Sequence, residues 1–315
     1  MGRLPGGRST SLWLRGVAVL ATMILVAGCA RNSPVGAADL RPLAPSTGAT
    51  STAPLPSVPN LAPTPTVSPP PTPTPPPKPV DPLAGVSAKT RKAFKPCLTK
   101  AVGPGSGGAC ARLVQKTLKS AHYYNWGMSS RVNTAGVNAI LNYQRSRGLT
   151  ATGVVRKATW VALATKARVL PQVLPKKCTT SKGVILCVDQ AHRKLFWIKN
   201  GKVVKTFKIR VGGWNYYVKT KKWKVFATAN GTWKVYDKQV DPPSEQYGSG
   251  AMPYATIFYP DMYVHYSPGF HSVGYATSSH GCVNIGKLSE AMWIFKHTPI
   301  GAKVYIYSQK AKKSA

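Results

Sequence analysis

One stretch of the chain concentrates side chains able to do covalent chemistry. It runs His265-Tyr266-Ser267-Pro268-Gly269-Phe270-His271, then Ser278-Ser279-His280-Gly281-Cys282-Val283-Asn284. Acyl transfer through sulfur needs a thiolate, a base close enough to take its proton, and donors for the oxyanion. Cys282 is the candidate nucleophile, with His280 two positions before it and His265 and His271 upstream. A nearby imidazole lowers a thiol pKa and raises the thiolate fraction. Gly281 lets the backbone pass close to a substrate carbonyl and aim N–H groups at it. His265, His280 and Cys282 are also metal-ligand types. Beyond Asp261 no close carboxylate completes such a site, so neither a metal nor a cofactor is expected. His122, His192 and His297 are single histidines and are assigned nothing.

Cysteine usage isolates the same thiol. With Cys29 set aside, Cys97 and Cys110 form one close pair, Cys178 and Cys187 another, and Cys282 is left over. In an exported chain two local disulfides and one free thiol is the economical assignment. A disulfide closing a loop of about 15 residues contributes about 3 kcal/mol. Export is indicated by the N-terminus: Arg3, Arg8 and Arg15 precede an apolar run over 16–27, ending in Val26-Ala27-Gly28-Cys29. That is a basic, apolar, small-residue signal, shorter than the roughly 20 residues that span a bilayer. Val-Ala-Gly-Cys resembles a bacterial lipobox. The resemblance implies cleavage after residue 28 and a lipid on Cys29, anchoring the chain to the outer face of the cytoplasmic membrane.

These residues must be positioned by folded elements. The 315 residues suffice for about two domains with real cores. Residues 29–90 are mostly Pro, Thr, Ser and Ala, cannot bury a core, and read as a semi-rigid tether. Residues 96–170 carry helical spacing, at Leu113 and Leu118 and again at Val137, Ile140 and Leu141, with Thr134 as N-cap of the second helix. From Cys178 to about 309 the texture changes to short alternating runs. Strands are predicted over 183–189, 194–198, 202–211, 224–229, 233–236, 255–259, 262–265 and 304–307. The expected architecture is a mainly β domain, a sandwich or barrel, behind a small all-α domain. Residues 310–315 form a basic tail.

Two resemblances follow from the motifs. Leu113-Val114-Gln115-Lys116-Thr117-Leu118, Val137 through Gln144, Gly148-Leu149, Gly153-Val154-Val155 and Thr159-Trp160-Val161-Ala162-Leu163 together look like the three-helix peptidoglycan-binding type 1 module. Arg156 stands where that family usually has Gly. Ser279-His280-Gly281-Cys282-x-Asn284, with His265 fifteen residues before His280, resembles the L,D-transpeptidase catalytic (YkuD) domain. Val184 through Asp189, Lys194-Leu195-Phe196-Trp197, Asn200 through Val204 and Gly250-Ala251-Met252-Pro253-Tyr254 extend the likeness. The family's Thr-Pro-x-Gly turn is replaced here by Thr220-Lys221-Lys222-Trp223.

The resemblance implies Cys282 as nucleophile and His265 as general base and acid. It gives His280 and Gly281 to the oxyanion site, with Tyr254 assisting, and Ser279 and Asn284 to holding the loop. It implies cross-linking of third stem residues of peptidoglycan with release of D-alanine, and acylation of Cys282 by carbapenems. Hydrolysis of the same acyl-enzyme, as in an L,D-carboxypeptidase, and a catalytically silent wall-binding lipoprotein are the alternatives. The 43 Lys and Arg against 8 Asp and Glu give a net charge of +35. In an exported protein that charge points to anionic wall polymer rather than nucleic acid.

Overall fold

The computed structural model describes residues 80–244 and 247–310. The export signal, Cys29, nearly all of the tether and residues 311–315 of the tail lie outside the described residues. The described residues all belong to one compact unit. No helix among the described residues is long and apolar enough to cross a membrane.

Helices α1 (Ala88–Phe94), α2 (Gly108–Ser120), α3 (Thr134–Ser146) and α4 (Lys157–Ala164) enclose a core of their own. Trp160 lies fully buried at its centre, edge-on to Phe94, with Nε1–H donating to Lys100 O at 2.8 Å. The N-cap of α3 is Asn133, one residue before the expected Thr134. Its Oδ1 accepts from Gly136 N at 2.9 Å, satisfying a donor the first helical turn leaves open. Gln144, buried in α3, donates to Val154 O and accepts from Gly153 N, both at 3.0 Å. The Gln of the sequence motif thus fastens the Gly-Val turn of the same motif. The disulfide Cys97–Cys110 joins the turn after α1 to α2.

After the short helix α5 (Lys176–Thr179) come the strands β1 (Val184–Asp189), β2 (Lys194–Lys199) and β3 (Lys202–Arg210). Then follow β4 (Trp214–Tyr217), β5 (Lys222–Val225), β6 (Gly231–Lys234) and β7 (Asp237–Gln239). The chain ends with β8 (Ala255–Tyr259), β9 (Met262–Tyr266), α6 (Pro268–Val273), β10 (Val283–Ile285), α7 (Leu288–His297) and β11 (Lys303–Tyr307). Nine strands form one curled sheet in the order β6-β11-β1-β2-β3-β10-β9-β8-β7, with β4 and β5 paired as a separate hairpin. β3 pairs with both β2 and β10 and keeps the sheet continuous, giving the mainly β domain expected behind the helical one. The β1–β11 and β9–β10 pairs are parallel.

Period-two alternation decides what each face of β1 meets. Leu186 and Val188 point into the main core with Phe207, Val264, Val283 and Ile294 of α7. Ile185 and Cys187 point the other way, where Cys178, Phe196 and Leu174 cover them and the disulfide Cys178–Cys187 closes that side. With both faces covered the strand reads as a continuous apolar run.

The helical part is fixed to the sheet through α3. Asn138 donates to Trp214 O at 3.1 Å and accepts from Trp214 N at 2.9 Å, and Arg145 Nη2 donates to Gly212 O at 2.7 Å. A Cβ on Gly213 would lie 2.6 Å from Asn138 Oδ1 and 2.8 Å from Ser278 Cβ, so only glycine allows this approach.

Candidate active site

Register places the two central residues. In the parallel β9–β10 pair His265 stands opposite Asn284. The valines on either side, Val264 and Val283, enter the core, so His265 and Asn284 share the other face. Cys282 immediately precedes β10. It is the only free cysteine among the described residues.

The loop carrying Cys282 is locked by its own side chains. Ser279 Oγ donates to Cys282 O at 2.6 Å and accepts from Gly281 N at 3.1 Å. Thr228 Oγ1 donates to Gly281 O at 2.7 Å and accepts from Gly212 N at 2.9 Å. Gly281 has φ +127°, and a Cβ there would meet Ala227 O and Met262 Cγ at 3.3 Å. The Gly281 N–H, expected to serve an oxyanion, is thus engaged by Ser279. Among the described residues, no backbone bond outside the ladders begins at the Cys282 N–H.

The thiol donates to Asp261 O at 3.7 Å, in the β8–β9 turn. Burial pushes its pKa up to about 11; the Tyr263 N–H pulls the other way and the Asp261 charge adds to the rise. His265 is buried, and burial lowers its pKa to about 4. Its Nδ1–H donates to Tyr266 O at 2.6 Å, which opposes that drop, while the Arg210 charge adds to it. Nε2 accepts from Asn284 Nδ2 at 2.8 Å. Thiol and imidazole are therefore both neutral at pH 7, and in this arrangement each has partners other than the other.

Behind Asn284 stands Arg210, which sequence reasoning did not single out. Its Nε donates to Asn284 Oδ1 at 3.1 Å, Nη2 to Ser267 Oγ at 3.1 Å, and Nη1 to Thr277 Oγ1 at 2.8 Å and Gly274 O at 3.1 Å. Burial lowers its pKa to about 10. A buried cation held by neutral oxygens and joined to the histidine through an amide orients the ring without supplying a counter-charge.

His280 occupies the opposite rim of the loop. Its Nε2–H donates to Tyr216 O at 2.7 Å, Tyr247 Oη donates to Nδ1 at 2.7 Å, and Phe226 packs edge-on at 4.3 Å. Burial lowers its pKa. Tyr254 has φ +56° and packs its ring edge-on against Phe295 of α7, 5.7 Å between centroids. The tyrosine beside the sulfur is Tyr263, through its N–H. His271 caps its own region, bonded to Gly286 O at 3.0 Å.

Residues 183–306 match the family described as L,D-transpeptidase catalytic domain, and residues 108–163 match the family of peptidoglycan binding domains. The second part of this chain is an L,D-transpeptidase catalytic domain. Among solved structures, residues 123–326 of an L,D-transpeptidase from Xylanimonas cellulosilytica are 24% identical, with TM-score 0.35, covering 65% of this chain and 96% of that one. An L,D-transpeptidase from Stackebrandtia nassauensis is 23% identical, with TM-score 0.36, covering 67% and 97%. One from Mycobacterium smegmatis is 22% identical, with TM-score 0.30, covering 40% and 58%. None of the curated proteins compared matches the chain. The transpeptidase domain holds Cys282, His265, His280 and Asn284 within one segment, and the peptidoglycan-binding module is bonded to the Gly212–Trp214 backbone beside it.

Proposed function

We propose that the protein is a peptidoglycan L,D-transpeptidase that works through a Cys282 thioester. The observation that carries this is a lone free thiol in a loop locked by Ser279 and Thr228, beside a buried histidine held at Nε2 by Asn284. A thiol of pKa about 11 is ionised to about one part in ten thousand at pH 7, so deprotonation accompanies attack rather than preceding it.

In the first half-reaction Sγ leaves Asp261 O and attacks the carbonyl of the third stem residue. Its proton passes to His265 Nε2, which gives up its bond from Asn284. The developing oxyanion takes the Cys282 N–H. His265 returns the proton to the departing D-alanine, leaving a thioester. In the second half the side-chain amine of another stem attacks the thioester, His265 takes its proton and hands it to the leaving sulfur, and a cross-link between third residues forms. Water in place of the amine gives the trimmed tripeptide. The peptidoglycan-binding module would hold the wall near the site, the basic surface would hold anionic wall polymer, and lipid on Cys29 would keep the enzyme at the membrane's outer face.

Intact-mass spectrometry with a disaccharide-tetrapeptide donor tests the first step. An adduct equal to the donor minus alanine, absent from Cys282→Ala, is expected; no adduct on the native protein would refute the thioester.

A further inference from the structure

A cavity of about 280 Å3 opens beside the turn between β1 and β2, lined among others by Arg193, Lys194, Thr206, Lys208 and Tyr275, with Cys282 not among its lining residues. Its charge is concentrated and uncompensated. Lys194 and Lys208 stand directly opposite each other across β2 and β3, and unlike the opposed pair Lys199–Lys202 at the other end of these strands they share their cavity with an arginine. The neighbouring carboxylate, Asp189, is spent elsewhere: it takes His192 Nδ1 at 2.8 Å and the N–H groups of Ala191 and His192. Lys194 Nζ donates to the neutral Gln172 Oε1 at 2.8 Å.

Arg193 adds an independent observation. Its guanidinium lies over the rings of Tyr275 and Tyr123, at 4.6 and 5.3 Å from their centroids. Its Nε is buried and has no hydrogen-bond partner among the described residues. A donor on a cation left unmade in a buried position is costly, so an anion that drew the Arg193 side chain a short way toward the cavity would satisfy a donor the closed arrangement leaves open.

We propose that this cavity binds a phosphoryl group. Three cations around so small a space exceed what one carboxylate neutralises and match a phosphate. The planar guanidinium suits phosphate oxygens in two-point contact, the lysines act as point charges, and the Thr206 hydroxyl is a further donor. A phosphodiester polymer of the wall or free phosphate presents the same chemistry. The proposal does not depend on the Cys282 chemistry.

The test is calorimetric titration of the full-length protein with inorganic phosphate, with oligo(glycerol phosphate) and with acetate. The variants are Arg193→Gln and Lys208→Gln; Lys208 is exposed, so its loss leaves the fold intact. The control is Lys199→Gln with Lys202→Gln, an equally opposed pair at the exposed end of the same two strands. One saturable equivalent is expected, with Kd raised at least about tenfold by either site variant and less than about twofold by the control. Binding of the polymer in competition with phosphate identifies the wall as source, and binding of phosphate alone identifies the free anion. Non-saturating binding, equal loss in the control, or acetate binding as tightly as phosphate would overturn the assignment.

Discussion

Replacing Asn284 by Asp changes one atom and inverts the electrostatics at His265. In the native site the amide donates to Nε2 and accepts from Arg210 Nε. Aspartate keeps the second contact and replaces the donor with a negative oxygen, which faces Nε2 comfortably only when that nitrogen carries a proton. An opposite charge at such a distance raises a histidine pKa by about 1–3 units, moving it from about 4 toward about 6. With a base that must be neutral, at pH 5 about nine-tenths of the native enzyme is competent against about one-tenth of the variant. The variant's kcat/KM is therefore roughly tenfold lower at pH 5 but only slightly lower at pH 7. The assay is kcat/KM for a soluble tetrapeptide donor from pH 4 to 8. An acid limb that stays near pH 4 in the variant would refute the role given to Asn284 and His265.

Further consequences can be measured directly. Because the Cys282 thiol sits at about 11, its alkylation by iodoacetamide should rise about tenfold per pH unit from 6 to 10; a plateau at neutral pH would mean a preformed ion pair. His265 binds its proton near 4 in the folded chain against 6.5 unperturbed, so the unfolded chain takes up the proton first as pH falls. Stability is then full above about 6.5 and drops by about 3 kcal/mol on reaching pH 4, a slope that urea titrations should find reduced in His265→Gln. Gly281→Ala forces a side chain into φ +127° with contacts at 3.3 Å; a loss of about 1–3 kcal/mol by urea denaturation is expected. Removing the Cys97–Cys110 bridge, which spans 13 residues, should cost about 3 kcal/mol by the same measurement.

How far the sequence reached depends on what each residue does in space. Cys282 was isolated by arithmetic on pairs, and the two disulfides formed as paired. Long alternating strands such as β1, β2 and β8 were legible because one or both faces are buried. Strand β10 was not, since three residues hold no period, although it fixes the His265–Asn284 register. Helix α7 was also missed; it buries chiefly Ala291 and Ile294. Arg210 is the instructive omission. It alternates with exposed Lys208 on one face of β3 and looks like another surface cation. Only α6 and the turn after it, which arrive some sixty residues later, bury it. His192 looked solitary, yet the turn after β1 folds it back onto Asp189 and its Nε2 onto Leu170 O.

The most direct test of the central claim is product analysis of the soluble chain from residue 82 onward with a disaccharide-tetrapeptide, beside Cys282→Ala. The native chain is expected to form a cross-linked dimer lacking one alanine, and the variant is expected to form none. Dimer formed equally by both would contradict it, and tripeptide alone would replace transfer with hydrolysis.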